Sequence, residues 1–169
     1  MSALGYRLIE TKLGTMAIVG SSAGLRRVIL PQTSARAATQ AVGEAEPTAT
    51  ADPALLPEVA DKLRAYFTGE RVTFRVRLDA PDSTPFTASV WDACRAVAYG
   101  KTATYADLAR KVGRPGAARA VGMAMARNPL PIVVPCHRVL RSDGGLGGYS
   151  GPGGVGFKQV LLEMEQGHV

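Results

Sequence analysis

The chain has 169 residues, enough for one domain or two small ones, and its 46% hydrophobic and 20% charged residues are the balance of a folded globular protein rather than a disordered one. No apolar run approaches the ~20 residues that span a bilayer, and Met1-Ser2-Ala3-Leu4-Gly5-Tyr6-Arg7 has no signal-peptide pattern, so a cytoplasmic protein that does not use a membrane is expected. Two cysteines, Cys94 and Cys136, are too few for a disulfide framework, no Cys-x-x-Cys or His-rich cluster predicts a metal site, and the formal charge of +6 favours a polyanion partner, nucleic acid first.

The first residues read as a small meander: Tyr6 to Thr11, Thr15 to Val19 after Gly14, and Leu25 to Leu30 after Gly24. Pro31 to Pro53 is poor in large apolar residues and reads as a loop with a short helix near Ala35 to Ala41. Leu56, Val59, Leu63, Tyr66 and Phe67 recur at helical spacing, which predicts a helix from about Pro53 to Phe67. Arg71 to Leu78 then alternates charged or polar residues with Val72, Phe74, Val76 and Leu78, the pattern of a half-buried strand. Nothing in this half has catalytic spacing.

Ala80-Pro81-Asp82-Ser83-Thr84-Pro85 reads as a linker. The chain is therefore an α+β protein with an N-terminal structural domain over 1–80, a linker over 81–85 and a mainly helical C-terminal domain over 86–169. Phe86, Val90, Cys94 and Val97 share one helical face, which makes Cys94 a packing residue. Thr104 is placed as the N-cap of the next helix, with Asp107 at the capping-box position. Gly113-Arg114-Pro115-Gly116 breaks that helix, and a second runs from Ala117 to Arg127, stopped by Asn128-Pro129. Two short helices joined by a glycine-containing turn make a helix-turn-helix.

The second helix lacks the row of polar side chains that reads base edges in the major groove. Ala118, Ala120, Gly122, Ala124 and Ala126 leave it slim, and Arg119 is its exposed polar group. Such a helix suits close approach to a narrow groove without sequence readout, with an arginine entering the stack in place of a base. The alternative is ordinary tight packing of small residues.

Pro131 to Val139 then delivers Cys136 between a φ-fixing proline and His137-Arg138, after an apolar run, Ile132 to Val134, that reads as a buried strand. A cysteine nucleophile acts as the thiolate, in an electropositive site with a base in reach. Neighbouring side chains of a strand point apart, so Cys136 and His137 cooperate only if Pro135 ends the strand and Cys136 lies in a turn. The bland reading is a small buried cysteine that packs. The positive charge surrounds this position: residues 105–141 hold seven Lys/Arg and one acid, Asp107. Downstream, the glycine-rich run from Arg141 to Gly154 lacks the Lys-Ser/Thr ending of a phosphate loop, and Tyr149 and Ser150 in it are placed to face a ligand over Cys136. A final helix, about Phe157 to Gln166, has Val160, Leu161 and Met164 for the core. Glu165 near its C-terminus is unfavourable to the helix dipole unless a cationic or polarised partner such as His137 offsets it.

Asn128-Pro129-Leu130-Pro131-Ile132-Val133-Val134-Pro135-Cys136-His137-Arg138-Val139 resembles the active-site signature of the O6-alkylguanine-DNA alkyltransferases, the methylated-DNA–protein-cysteine methyltransferases. The resemblance extends through Thr104-Tyr105, Ala118-Arg119-Ala120-Val121-Gly122, Met125, Gly148-Tyr149-Ser150-Gly151 and Leu161 to Glu165, about residues 86–166. It implies an RNase H-like N-terminal domain, a winged-helix-like C-terminal one, and irreversible, single-turnover transfer of an alkyl group to Cys136. The donor would be O6-alkylguanine, or O4-alkylthymine, in double-stranded DNA. It implies no cofactor, no metal, no small-molecule methyl donor, no membrane and a monomer. Catalysis would rest on Cys136, activated through His137, a water and Glu165, with Asn128 coupling the binding helix to the cysteine loop. Arg119 would fill the gap left by the flipped nucleotide, Thr104, Tyr105, Ala118, Ala120 and Gly122 would meet DNA, and Tyr105, Met125, Val139, Tyr149 and Ser150 would line the pocket. Gly151 to Gly156 departs from the family by about two extra residues, which bears on the pocket rim and on methyl against bulkier groups.

Three other readings remain. A DNA-binding regulator would share the helix-turn-helix but lacks base readers, and a cysteine hydrolase would need a multi-turnover acyl substrate and an oxyanion hole. A non-catalytic lesion binder of the alkyltransferase-like kind would carry tryptophan where Cys136 stands.

Overall fold

A computed structural model describes residues 2–149 and 153–167. The chain divides into two compact units, Met1–Pro81 and Asp82–Val169.

In the first unit, β1 (Gly5–Thr11), β2 (Gly14–Ser21) and β3 (Gly24–Gln32) form the expected antiparallel meander. The loop read after it is more ordered than its composition suggested. Ser34 caps α1 (Ala35–Ala45) by accepting from the Ala37 N–H, and Thr50–Ala51 adds a short β4 parallel to β1, completing the sheet order β3-β2-β1-β4. Val42 of α1 packs on Ala17 and Val19 of β2, with Tyr6, Leu8 and Ile29 around them. Thr15 to Gly20 of β2 is buried throughout, so this strand is covered on both faces and reads as a near-continuous apolar run.

The next helix, α2 (Pro57–Phe67), starts four residues later than expected, because Leu56 adopts a left-handed φ of 43° before Pro57. Arg71 to Leu78 is not a strand. Its alternation corresponds to half-burial, with Val72, Phe74, Val76 and Leu78 half-buried and Arg71, Thr73, Arg75 and Arg77 exposed, but among the described residues it forms no strand ladder, only an isolated parallel bridge from Leu78 to Leu25. Leu25 N–H donates to Arg77 O and Asp79 N–H to Leu25 O. Gly24 is required at that contact: its φ is +139° and a Cβ would lie 2.3 Å from the Arg77 carbonyl oxygen. Glu46, buried at the end of α1, accepts from Arg26 and Arg27 of β3, and Arg26 also meets Asp79.

The second unit begins with α3 (Pro85–Arg95), capped by Thr84 with Pro85 in the first turn. α4 (Tyr105–Lys111) and α5 (Ala118–Ala126) are the paired helices, and α6 (Gly154–Glu165) closes the unit. Trp91 Nε1 donates to Ala124 O at 3.1 Å, fixing α3 on α5. β5 (Ala103–Thr104) and β6 (Val139–Leu140) form a short parallel pair on either side of the α4–α5 hairpin, so the residue before α4 and the residues after the cysteine are held together. Cys94 is buried as expected of a packing residue. Val160 is not in the core; it is among the exposed large apolar side chains, because the buried stripe of α6 is Lys158, Leu161, Met164 and Glu165. Among the described residues no helix is long and apolar enough to cross a membrane.

Candidate active site

The segment before the cysteine is not the predicted strand. Pro131 to Val134 is a turn, buried from Ile132 onward, in which Ile132 has φ 73°, a left-handed conformation that costs a β-branched residue ~1–3 kcal/mol. Asn128 holds that turn: its Nδ2 donates to Val134 O at 2.8 Å and its Oδ1 accepts from Leu130 N–H at 2.9 Å. The apolar run is therefore buried as a coil clamped by one amide side chain, which period counting cannot distinguish from a buried strand. Pro135 then leads into a single 3₁₀ turn, Cys136–Arg138. This satisfies the condition under which Cys136 and His137 belong to one site.

His137 is fully buried, and its Nε2 lies 2.5 Å from Glu165 Oε2. Glu165 also accepts from Arg138 Nε at 2.8 Å, Arg138 Nη2 at 3.1 Å and Gly100 N–H at 3.1 Å. Arg138 thus balances Glu165 and reaches back to Val97 O and the Tyr99 ring, rather than supplying charge to the cysteine. Burial pushes the His137 imidazole below its ordinary pKa in spite of Glu165, so the ring is neutral and able to accept a proton. Burial likewise pushes the Cys136 thiol above its ordinary value, against a hydrogen bond from Asn128 and the charge of Lys158. The basic surroundings read from the sequence do not by themselves make a thiolate, and deprotonation depends on a base.

Cys136 opens into a largely apolar cavity of about 450 Å³ lined by Tyr105, Gly122, Met125, Ala126, Gly148 and Tyr149. Of the expected pocket residues, Tyr105, Met125 and Tyr149 are in that lining. Val139 is not; it is fully buried in β6, with its carbonyl turned to Lys158. Ser150 lies outside the described residues. Burial raises the Tyr149 pKa, and its hydroxyl, buried in the site, has no hydrogen-bond partner among the described residues. Thr104 is occupied as a cap, accepting from Asp107 N–H while Asp107 accepts from Thr104 N–H, which is the capping box read from the sequence. Along α5, Arg119 and Ala120 are exposed, and Ala118 and Gly122 are half-buried.

Sequence reading missed Lys158. It is fully buried, and its ammonium donates to Val139 O at 2.7 Å, Leu146 O at 2.5 Å and Gly148 O at 3.4 Å, clipping the glycine-rich loop to β6 behind Tyr105. Gly147 of that loop packs against Tyr105, since a Cβ there would lie 2.8 Å from the phenol oxygen. The available signal was its register: Lys158, Leu161 and Glu165 fall on one face of α6, so two charged residues stand on the buried stripe. Among the described residues there is no group of His, Cys, Asp and Glu able to hold a metal ion.

The chain matches two family models, the 6-O-methylguanine DNA methyltransferase ribonuclease-like domain over residues 4–80 and the DNA binding domain of the same family over residues 85–167. A methylated-DNA–protein-cysteine methyltransferase of Mycobacterium tuberculosis is 39% identical over 161 residues, covering 95% of this chain and 92% of that protein. The protein of the same name from Methanosarcina acetivorans is 37% identical, covering 95% and 97%. The crystal structure of Mycobacterium tuberculosis OGT in complex with DNA superposes with a TM-score of 0.81 at 38% identity, over 98% of this chain and 94% of that one. The O6-methylguanine-DNA methyltransferase of Pyrococcus kodakaraensis gives a TM-score of 0.72 at 28% identity, over 96% and 98%. With both units matched and relatives aligned over nearly its whole length, this chain belongs to the 6-O-methylguanine DNA methyltransferase family.

Proposed function

We propose that the protein repairs duplex DNA by direct reversal, moving the alkyl group of O6-alkylguanine to Cys136. The observation that carries this reading is a buried cysteine opening into an apolar cavity, beside a neutral histidine whose far nitrogen is bound to a carboxylate. A base inside a duplex cannot reach such a thiol, so it must be flipped into the cavity, at a cost of a few kcal/mol. Arg119, exposed near the start of α5, fills the gap it leaves, and Gly122 and Ala126 of the same helix line the cavity mouth. The Tyr149 hydroxyl is a donor available to the entering base.

In the transfer step the Cys136 thiol proton passes through a water to Nδ1 of His137, because Nε2 is committed to Glu165. Glu165 stabilises the imidazolium so formed. A new Sγ–C bond forms as the C–O6 bond breaks, and guanine leaves with its ring protonated, drawing a proton from the site. The thioether is not reopened, so each molecule acts once, without cofactor or external methyl donor. A soft thiolate attacking an sp³ carbon needs no metal. The reading places the protein in the cytoplasm as a monomer, where Cys94 and Cys136, both free, stay reduced.

Single-turnover stoichiometry tests this. With excess duplex carrying a labelled O6-methylguanine, transfer should stop at one methyl group per protein. Continued turnover would favour a hydrolytic or otherwise regenerating enzyme.

A further inference from the structure

α5 is nearly bare on its outer face, with one departure. Arg119, Ala120, Met123 and Ala126 are its exposed residues, Arg127 is exposed at its C-cap, and Met123 is 56% exposed, among the largest apolar exposures of the described residues. A single exposed apolar side chain needs no explanation on a typical surface. This one has a particular address. Steps of four residues put Met123 on the same face as Arg119, one turn before it, and Arg127, one turn after it. Its neighbour Gly122, half-buried, lines the Cys136 cavity together with the exposed Ala126. Two cations flanking an apolar side chain at the entrance used by the base match a polyanion whose interior is stacked and apolar.

We propose that Met123 is an apolar wedge of the DNA-binding surface, entering the minor groove of duplex DNA beside the position from which the base is drawn, with Arg127 on a flanking phosphate. The proposal rests on the DNA-repair reading above. Methionine is among the side chains that proteins insert between base steps in the minor groove, and its unbranched thioether adapts to an irregular gap. Alanine at the same place would allow equally close approach but leave the opened step unfilled. Arg119 supplies the charged plug in the vacated position, and Met123 supplies contact that depends on apolar area rather than on charge.

The two kinds of contact separate in salt. The test is the affinity of the Cys136→Ala protein, which cannot take up the methyl group, and of Met123→Ala, Met123→Leu and Arg127→Ala each made in it, for a fluorescent duplex holding one O6-methylguanine, measured across a range of KCl concentrations. Met123→Ala should weaken binding about five-fold, the loss expected for roughly 1 kcal/mol of apolar contact. That loss should be constant across salt, and Met123→Leu should restore most of it. Arg127→Ala should reduce the slope of log affinity against log salt by about one. Met123→Ala binding as tightly as its Cys136→Ala parent, or more tightly, would overturn the wedge, as would a loss that fades with rising salt or one that Met123→Leu does not recover. Affinity is read without any transfer, so a protein that bound normally but never alkylated Cys136 would count against the transferase reading alone.

Discussion

Glu165 carries one negative charge against the buried His137 and Arg138 and the half-buried Gly100 N–H. Removing that charge strands the Arg138 guanidinium in a low-dielectric site, where an uncompensated ion costs ~3–5 kcal/mol. Glu165→Gln should therefore lose about 3 kcal/mol of stability in urea unfolding, as well as transfer rate. A variant as stable as wild type would mean that Arg138 finds another partner. His137 gives a pH prediction of definite sign. Its folded pKa lies below the ordinary 6.5, so the folded state binds fewer protons than the unfolded chain between those two values. The stability this contributes is complete above about 6.5 and is lost as pH falls through the folded value. The same protonation removes the base, so the single-turnover rate should hold at pH 6.5 and show its acid limb lower. An acid limb at or above 6.5 would assign the base to another group.

At the level of elements, the paired helices and the turn before Cys136 are held by different devices. The capping box of α4 is a local signal, and Thr104→Ala should cost about 1 kcal/mol in thermal unfolding. The turn before Cys136 depends on Asn128, which binds it at two points while Ile132 is held in a left-handed conformation. Asn128→Ala should cost about 1–3 kcal/mol by leaving the buried Leu130 N–H without its acceptor and removing one of the two donors to Val134 O, and should slow transfer more than Thr104→Ala does. Equal slowing by both would mean that the turn does not position the thiol. These elements also mark what the sequence could convey. The meander, the capping box and the α4–α5 hairpin were legible because each rests on residues adjacent in the chain. Arg71 to Leu78 and Ile132 to Val134 were misread as strands, because alternation and apolar runs report burial and not whether a ladder partner exists.

Across the whole chain, the candidate site was legible as a set of residue types and only partly as an arrangement. Asn128, Cys136, His137 and Glu165 are spread along the chain, the first and last 37 positions apart, and what joins them is the folding of α6 onto the 3₁₀ turn. The charged stripe of α6 was the missing clue, since Lys158 and Glu165 stand on it and Arg138, which meets Glu165, is buried with them. The uneven charge of the chain bears on binding as a whole. Besides the buried Arg138, residues 105–141 hold six basic groups against Asp107, so duplex affinity should fall steeply as salt rises from 50 to 200 mM, whatever the sequence flanking the lesion. Arg119→Ala should impair repair in duplex DNA more than attack on the free alkylated base, and equal losses on both would count against its place in the stack. The most direct measurement is intact and peptide mass after incubation with a duplex holding a single O6-methylguanine, with Cys136→Ala alongside. The account predicts one methyl group on the peptide bearing Cys136 and none on the variant; an unmodified wild type that nonetheless binds the duplex would contradict it.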